Sequence, residues 1–217
     1  MKHFPMIFNS EMAKALLDGR KTVTRRPISE SVLLKLQDAE QSGEIHSITE
    51  PQDKSYVLSF APVKIGDLIW VRETWGVISH AFDENGNFIN WTPDRPALPI
   101  KELKHGKGYY TGHAIYRADG EMRWCNDFEE EISAWHPSIH MPKAASRMTL
   151  KVTDVRVERV KEIKPCEVKK EGFNDWSGFA FTWSSIYLSR GLGWDNNPYV
   201  WVIEFQVINQ NINKLEG

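Results

Sequence analysis

Gly19-Arg20-Lys21-Thr22-Val23-Thr24-Arg25-Arg26-Pro27 gathers four cations and two threonines into nine residues without a single acid. A core strand does not carry this many charges, and a solvated face ordinarily mixes both signs. The block suits an anionic partner. In an extended chain neighbouring side chains alternate faces, so Thr22, Thr24 and Arg26 share one side and Lys21, Val23 and Arg25 the other. Lys21 meets Thr24 only if it still belongs to the turn leaving the preceding helix. Partial burial beside Arg20, Arg25 and Arg26 pushes the Lys21 pKa down, and a neutral amine can take a proton from Thr24. The plain alternative is a basic edge strand whose long side chains discourage aggregation.

Working outward, Pro5 to Asn9 reads as a short strand. Asn9 or Ser10 then caps a helix in which Met12, Ala13, Leu16 and Leu17 recur at helical spacing, and Gly19 stops it. On the far side, Ser29 to Gln41 is a second amphipathic helix using Val32, Leu33 and Leu36. Val57-Leu58-Ser59-Phe60 and Asp67 to Arg72 read as strands on either side of a Gly66-Asp67 turn. Residues 76–134 form a hairpin-rich insertion: Asn85-Gly86 and Asp119-Gly120 both favour type I′ turns, and the acidic run Asp127 to Glu131 closes it. A long strand returns from Met148 to Val157, broken near Asp154. Pro165 and Gly172 bracket a short helix. Trp183 to Leu188 suggests another, and Tyr199 to Val207 is a closing strand. Many strands, few helices and that last strand predict an α+β fold: one domain over residues 1–217, built as a small mixed barrel with flanking helices.

Composition bounds the partners. The 217 residues balance hydrophobic and charged types in an ordinary globular way, with a net charge of −2. Any nucleic-acid contact must therefore come from a local patch rather than from bulk charge. Two cysteines far apart, Cys125 and Cys166, fit a reducing compartment. No apolar run is long enough for a bilayer, and the start lacks a signal-peptide pattern. We expect a cytoplasmic protein with no membrane partner. No GxxxxGK(S/T), GxGxxG, GxSxG or CxxC motif occurs, so P-loop hydrolysis and Rossmann redox chemistry are unsupported, and no cofactor is expected.

Three further features stand out. Glu171 falls in the last turn of the Pro165–Gly172 helix, where the dipole disfavours an acid by about 0.3–1 kcal/mol, so helix stability does not explain it. The plain alternative, favoured by the residues alone, is a surface glutamate tolerated beside Lys169 and Lys170. His136 and His140 have metal-like spacing, but Pro137 and the lack of a third ligand argue against a metal. The same loop, Trp135 to Arg147, presents Lys143 and Arg147 to a phosphate instead. The many tryptophans are core by default, with one or two available to stack on a base.

Three segments together resemble the activating signal cointegrator homology (ASCH) domain family. They are Gly19-Arg20-Lys21-Thr22-x-Thr24-x-Arg26, then Gly66-Asp67-Leu68-x-Trp70-Val71-Arg72-Glu73-Thr74-Trp75, and Glu171-Gly172-Phe173. The loop from Trp135 to Arg147 and the ending Asn197-Pro198-Tyr199-Val200-Trp201-Val202 are similar to the larger bacterial and phage-borne members. The resemblance implies a PUA-like β-barrel whose cleft takes RNA or a modified nucleoside. One bacterial branch of the family hydrolyses the amide of N4-acetylcytidine, with a lysine, a threonine and a glutamate as catalytic residues. Those positions match Lys21, Thr24 and Glu171. Arg20, Arg25, Arg26, Arg72, Lys143 and Arg147 are then the expected substrate or nucleic-acid contacts. Other members look like binding modules or ribonucleases, so fold does not fix activity.

Overall fold

The computed structural model describes residues 2–122, 124–125, 130–133 and 135–215. In chain order they form β1 (His3–Ile7), α1 (Ser10–Leu17), β2 (Val23–Pro27), α2 (Glu30–Gln41), α3 (Lys54–Ser59), β3 (Leu68–Arg72), β4 (Trp75–Ile78), β5 (Ala81–Phe82), β6 (Phe88–Ile89), β7 (Leu98–His105), β8 (Gly108–Tyr116), β9 (Trp124–Cys125), β10 (Glu131–Ile132), β11 (Thr149–Arg159), α4 (Pro165–Lys170), α5 (Trp176–Tyr187) and β12 (Tyr199–Ile208). The chain divides into two compact units. One contains Met1–Lys2, Asp18–Asp67 and Lys151–Val207; the other contains His3–Leu17, Leu68–Leu150 and Ile208–Gly217.

In the first unit β12 lies between β11 and β2, and the β12–β2 pair is antiparallel, with Ile203 opposite Thr24 and Val202 opposite Arg25. Alternation sends Val23, Val200 and Val202 to one face. There they pack with Val168 of α4 and with Phe179, Trp183 and Tyr187 of α5. Full burial of each such side chain contributes about 1.5–3 kcal/mol, which holds both helices against the sheet. Pro165 opens α4 at a position that needs no backbone donor. Gly172, at φ 91°, ends it in a conformation that favours glycine. Asp175 caps α5 by accepting from the Gly178 N–H at 2.8 Å.

In the second unit β1 and β3 pair in parallel, and β8 lies between β4 and β7 in an antiparallel sheet. The Asn9 side chain accepts from the Met12 N–H at 2.8 Å, so Asn9 caps α1. Trp75, Leu103, Ala114, Tyr116, Met141 and Ala145 make a separate core.

The α+β class holds, but the barrel does not close among the described residues. β1 and β2 each have one neighbour and are open edges. Four local expectations also change. Val57 to Phe60 lies in α3 and its end, not in a strand. Pro51 starts a helical turn there, and the Asp53 carboxylate accepts from the His46 and Ser47 N–H groups, fixing the approach. Around Asn85-Gly86 the loop between β5 and β6 runs over five residues rather than two, because the Asp83 carboxylate accepts from the Asn85 and Asn87 N–H groups. Asp119 ends a single helical turn at Arg117–Asp119, and among the described residues Asp119-Gly120 joins no hairpin. β11 continues unbroken past Asp154. Of the acidic run, Asp127 to Glu129 lie outside the described residues.

Candidate functional site

The cationic block sits in the first unit between the end of α4 and the strand β12. The Thr22 N–H donates to the Lys170 carbonyl at 2.8 Å, and the Thr22 carbonyl accepts from the Phe205 N–H at 3.0 Å. Lys21 and Glu171 face each other as an isolated antiparallel bridge. Their side chains meet as well. Lys21 Nζ donates to Glu171 Oε2 at 2.6 Å and to the Glu171 carbonyl at 2.9 Å. Both side chains are buried, Lys21 completely. Burial pushes the Lys21 ammonium below its ordinary pKa. The Glu171 charge and hydrogen bond oppose that, while Arg26 and Arg25 add to it.

Arg25 comes to the same carboxylate from the same side, NH1 donating to Glu171 Oε1 at 3.3 Å. Its NH2 donates to Glu167 at 2.6 Å and to Glu158 at 2.9 Å. Arg156 continues the chain, bonding Glu167, Glu158 and Glu204. Burial raises the Glu167 pKa, but the Arg25 charge, the Lys164 N–H and the bond from Arg25 outweigh it, so the carboxyl lies below its usual range. Three cations and four glutamates thus form one linked network under the sheet. An isolated buried charge is costly, and paired groups with filled hydrogen bonds are how a protein tolerates it.

Thr24 is buried and pairs with Ile203. By alternation it lies on the face opposite Arg25. Its hydroxyl makes no hydrogen bond to Lys21 or Glu171 among the described residues. Arg26 is half-buried and reaches the Tyr187 hydroxyl at 3.5 Å.

Beside the pair opens a cleft of about 610 Å³ lined by Arg20, Thr22, Lys169, Lys170, Phe173 and Asn174, together with the glycines Gly19 and Gly172. No acid lines it. Arg20 crosses one wall, donating from NH1 to the Gly172 carbonyl at 3.1 Å, and pairs with exposed Asp18. Lys169 and Lys170 are exposed and have no ion pair among the described residues. Gly19, at φ 69°, and Gly172 present bare backbone to the space.

The structure brings Lys21, Arg25 and Glu171 together and leaves Arg20 on the cleft. Arg25, expected to hold an anionic partner, spends its terminal nitrogens on three glutamates. The remaining three expected contacts have partners within the second unit. Arg72 Nε donates to the Met141 carbonyl at 3.2 Å, with its guanidinium 5.1 Å from the Trp70 ring centre. Lys143 Nζ lies 3.3 Å from His3 Nδ1. Arg147 bonds both oxygens of Glu73 at 2.9 Å and one of Asp119 at 2.5 Å. Lys169, Lys170, Phe173 and Asn174 were not foreseen, although two lysines in a last helical turn followed by Gly-Phe give a visible signal. Arg156, Glu158 and Glu204 were also missed. The alternation Asp154-x-Arg156-x-Glu158 on one strand face marks two of them. Among the described residues no cluster of three or more His, Cys, Asp or Glu side chains could hold a metal, and no helix is long and apolar enough to cross a membrane. No family model, curated protein or solved structure matches this chain.

Proposed function

We propose that this is a PUA-like protein of the ASCH type that binds RNA or a modified nucleoside at the cleft between Gly19 and Asn174. The observation that carries this reading is the lining. Two exposed lysines supply positive charge, with Arg20 beside them paired to exposed Asp18. Phe173 supplies a ring, Thr22 and Asn174 supply polar edges, and no acid is among the described lining residues. Phosphate contacts of this kind position a nucleic acid, and an aromatic ring accepts any base. The Lys21–Glu171–Arg25 knot fixes the two segments that form the walls. The test is titration of single-stranded RNA at several salt concentrations. Wild-type binding weakens steeply with salt. Arg20→Ala/Lys169→Ala/Lys170→Ala removes three charges and lowers the slope of log K against log salt by about 2, at roughly 0.7 per charge. An unchanged slope refutes the site.

A second reading, hydrolysis of N4-acetylcytidine, draws on one observation: a buried amine with a depressed pKa is joined to a carboxylate at 2.6 Å. Thr24 Oγ would attack the amide carbonyl while Lys21 takes its proton. The cytosine amine would leave with a proton through Glu171, and water would then release acetate from the threonine ester. This ranks second because the chain must shift to bring the Thr24 hydroxyl to the Lys21 amine. Incubation with N4-acetylcytidine decides it. Cytidine formed by the wild type and not by Thr24→Ala supports the reaction; equal turnover by both removes it.

A further inference from the structure

The hairpin of β7 and β8 carries a cluster that the cleft does not use. Its strands turn through Gly106-Lys107, with His105 paired to Gly108 and Lys104 directly opposite Tyr109. One residue pair further in, Leu103 opposes Tyr110, and both pack into the core around Trp75 and Met141. Alternation therefore turns Lys104 and Tyr109 outward. Tyr109 is 69% exposed. Lys101, Lys104 and Lys107 are exposed too, and none has an ion pair among the described residues.

The surrounding geometry holds this face in place. A bulge separates Ile100 from Leu103, where Glu102 adopts φ 51° and its N–H donates to Thr111 Oγ1 at 3.1 Å. Bulges re-aim side chains and are costly for a residue other than glycine at positive φ. Residues 101–108 hold three lysines against one acid in a protein of net charge −2. A large ring between unpaired lysines on a paired strand has the makings of a stacking platform. Directly opposite side chains in such a pair have Cβ atoms about 4.5–5.5 Å apart, so Lys104 and Tyr109 stand side by side on the exposed face.

We infer that this hairpin contacts single-stranded nucleic acid, with a base stacked on Tyr109 and phosphates held by Lys104 and Lys107. The inference rests on the binding function proposed above and adds that the partner is a strand, not a free nucleoside. An acidic peptide would use the lysines but has no base to place on the ring.

The experiment measures binding of a labelled oligonucleotide of about ten residues, as RNA and as DNA, and of cytidine monophosphate. Tyr109→Ala weakens strand binding about tenfold, as loss of one base–aromatic stack requires, and Tyr109→Phe retains wild-type affinity. Lys104→Ala/Lys107→Ala lowers the salt slope by about 1.4, two single-strand charges at roughly 0.7 each. Cytidine monophosphate binding is unchanged in all three, and their melting temperatures match the wild type. Strand binding by Tyr109→Ala as tight as wild type overturns the inference. So does an acidic peptide that competes as well as the strand. If the wild type binds cytidine monophosphate but no strand, the hairpin fails while the cleft stands. If the hairpin variants lose the strand and Arg20→Ala/Lys169→Ala/Lys170→Ala does not lose cytidine monophosphate, the cleft fails while the hairpin stands.

Discussion

Each unit holds an arginine among carboxylates, Arg25 buried in the first and Arg147 half-buried in the second, and the two arrangements differ in how the arginine is used. In the second unit Arg147 is closed. Nε and NH2 take both oxygens of Glu73, NH1 takes Asp119, and the guanidinium lies 3.9 Å from the centre of the Tyr116 ring. The Tyr116 hydroxyl donates to the Ala145 carbonyl at 2.9 Å. Among the described residues nothing in that knot is shared with another cation. In the first unit Glu171 serves both Lys21 and Arg25, Glu167 and Glu158 each serve both Arg25 and Arg156, and the buried Arg25 Nε has no acceptor. A closed bidentate pair fixes geometry and little else. A network in which Glu171, Glu167 and Glu158 each answer to two cations responds to a change at any of them. The second arrangement, not the first, borders the cationic cleft.

That contrast can be broken by mutation. Arg147→Met leaves Glu73, 1% exposed, and Asp119 without their cation. Breaking a buried pair from one side costs about 3–5 kcal/mol, read as a large drop in the denaturant midpoint. A loss under about 1 kcal/mol would mean that the knot does not hold the second unit. Glu171→Gln keeps the shape but strips the charge between Lys21 and Arg25. Glu167 still holds Arg25, so the loss is smaller, about 1.5–3 kcal/mol for charge-assisted bonds. A loss equal to that of Arg147→Met would show that the network shares nothing.

The smallest effect sharpens the comparison through pH. Glu167 has a lower pKa folded than unfolded, so its ionised form contributes stability above the ordinary carboxylate value of 4.5. That contribution disappears as pH falls through the folded value. The stability gap between wild type and Glu167→Gln, measured by denaturant titration, therefore narrows below pH 4.5. A gap that widens as the solution is acidified contradicts the assigned direction.

Much of the local structure was legible from residues close in sequence. Asn9 capping α1, Pro165 opening α4, Gly19 and Gly172 as stops, and the apolar run of β12 follow from backbone needs that each residue meets alone. Where reading failed, a side chain outvoted a short pattern. Four residues from Val57 fit a strand as well as a helix until Asp53 organises the turn before them. Asn85-Gly86 promised a two-residue turn until Asp83 claimed the nearby N–H groups. The turn that does join a long hairpin, Gly106-Lys107, went unremarked because lysine is not a usual turn residue.

By itself the sequence determined that a cationic block follows the first helix and that an acid sits oddly at the end of α4. Both are statements about neighbours on the chain. Only the tertiary structure decided that Lys21 answers Glu171, that Arg25 faces inward to three glutamates while Arg20 stays on the cleft, and that Thr24 lies on the other side of its strand. The reason is that strand alternation fixes two faces without saying which is the inner one. That choice falls to β11, β12 and α4, which bring carboxylates from more than a hundred residues away to meet one side of the block.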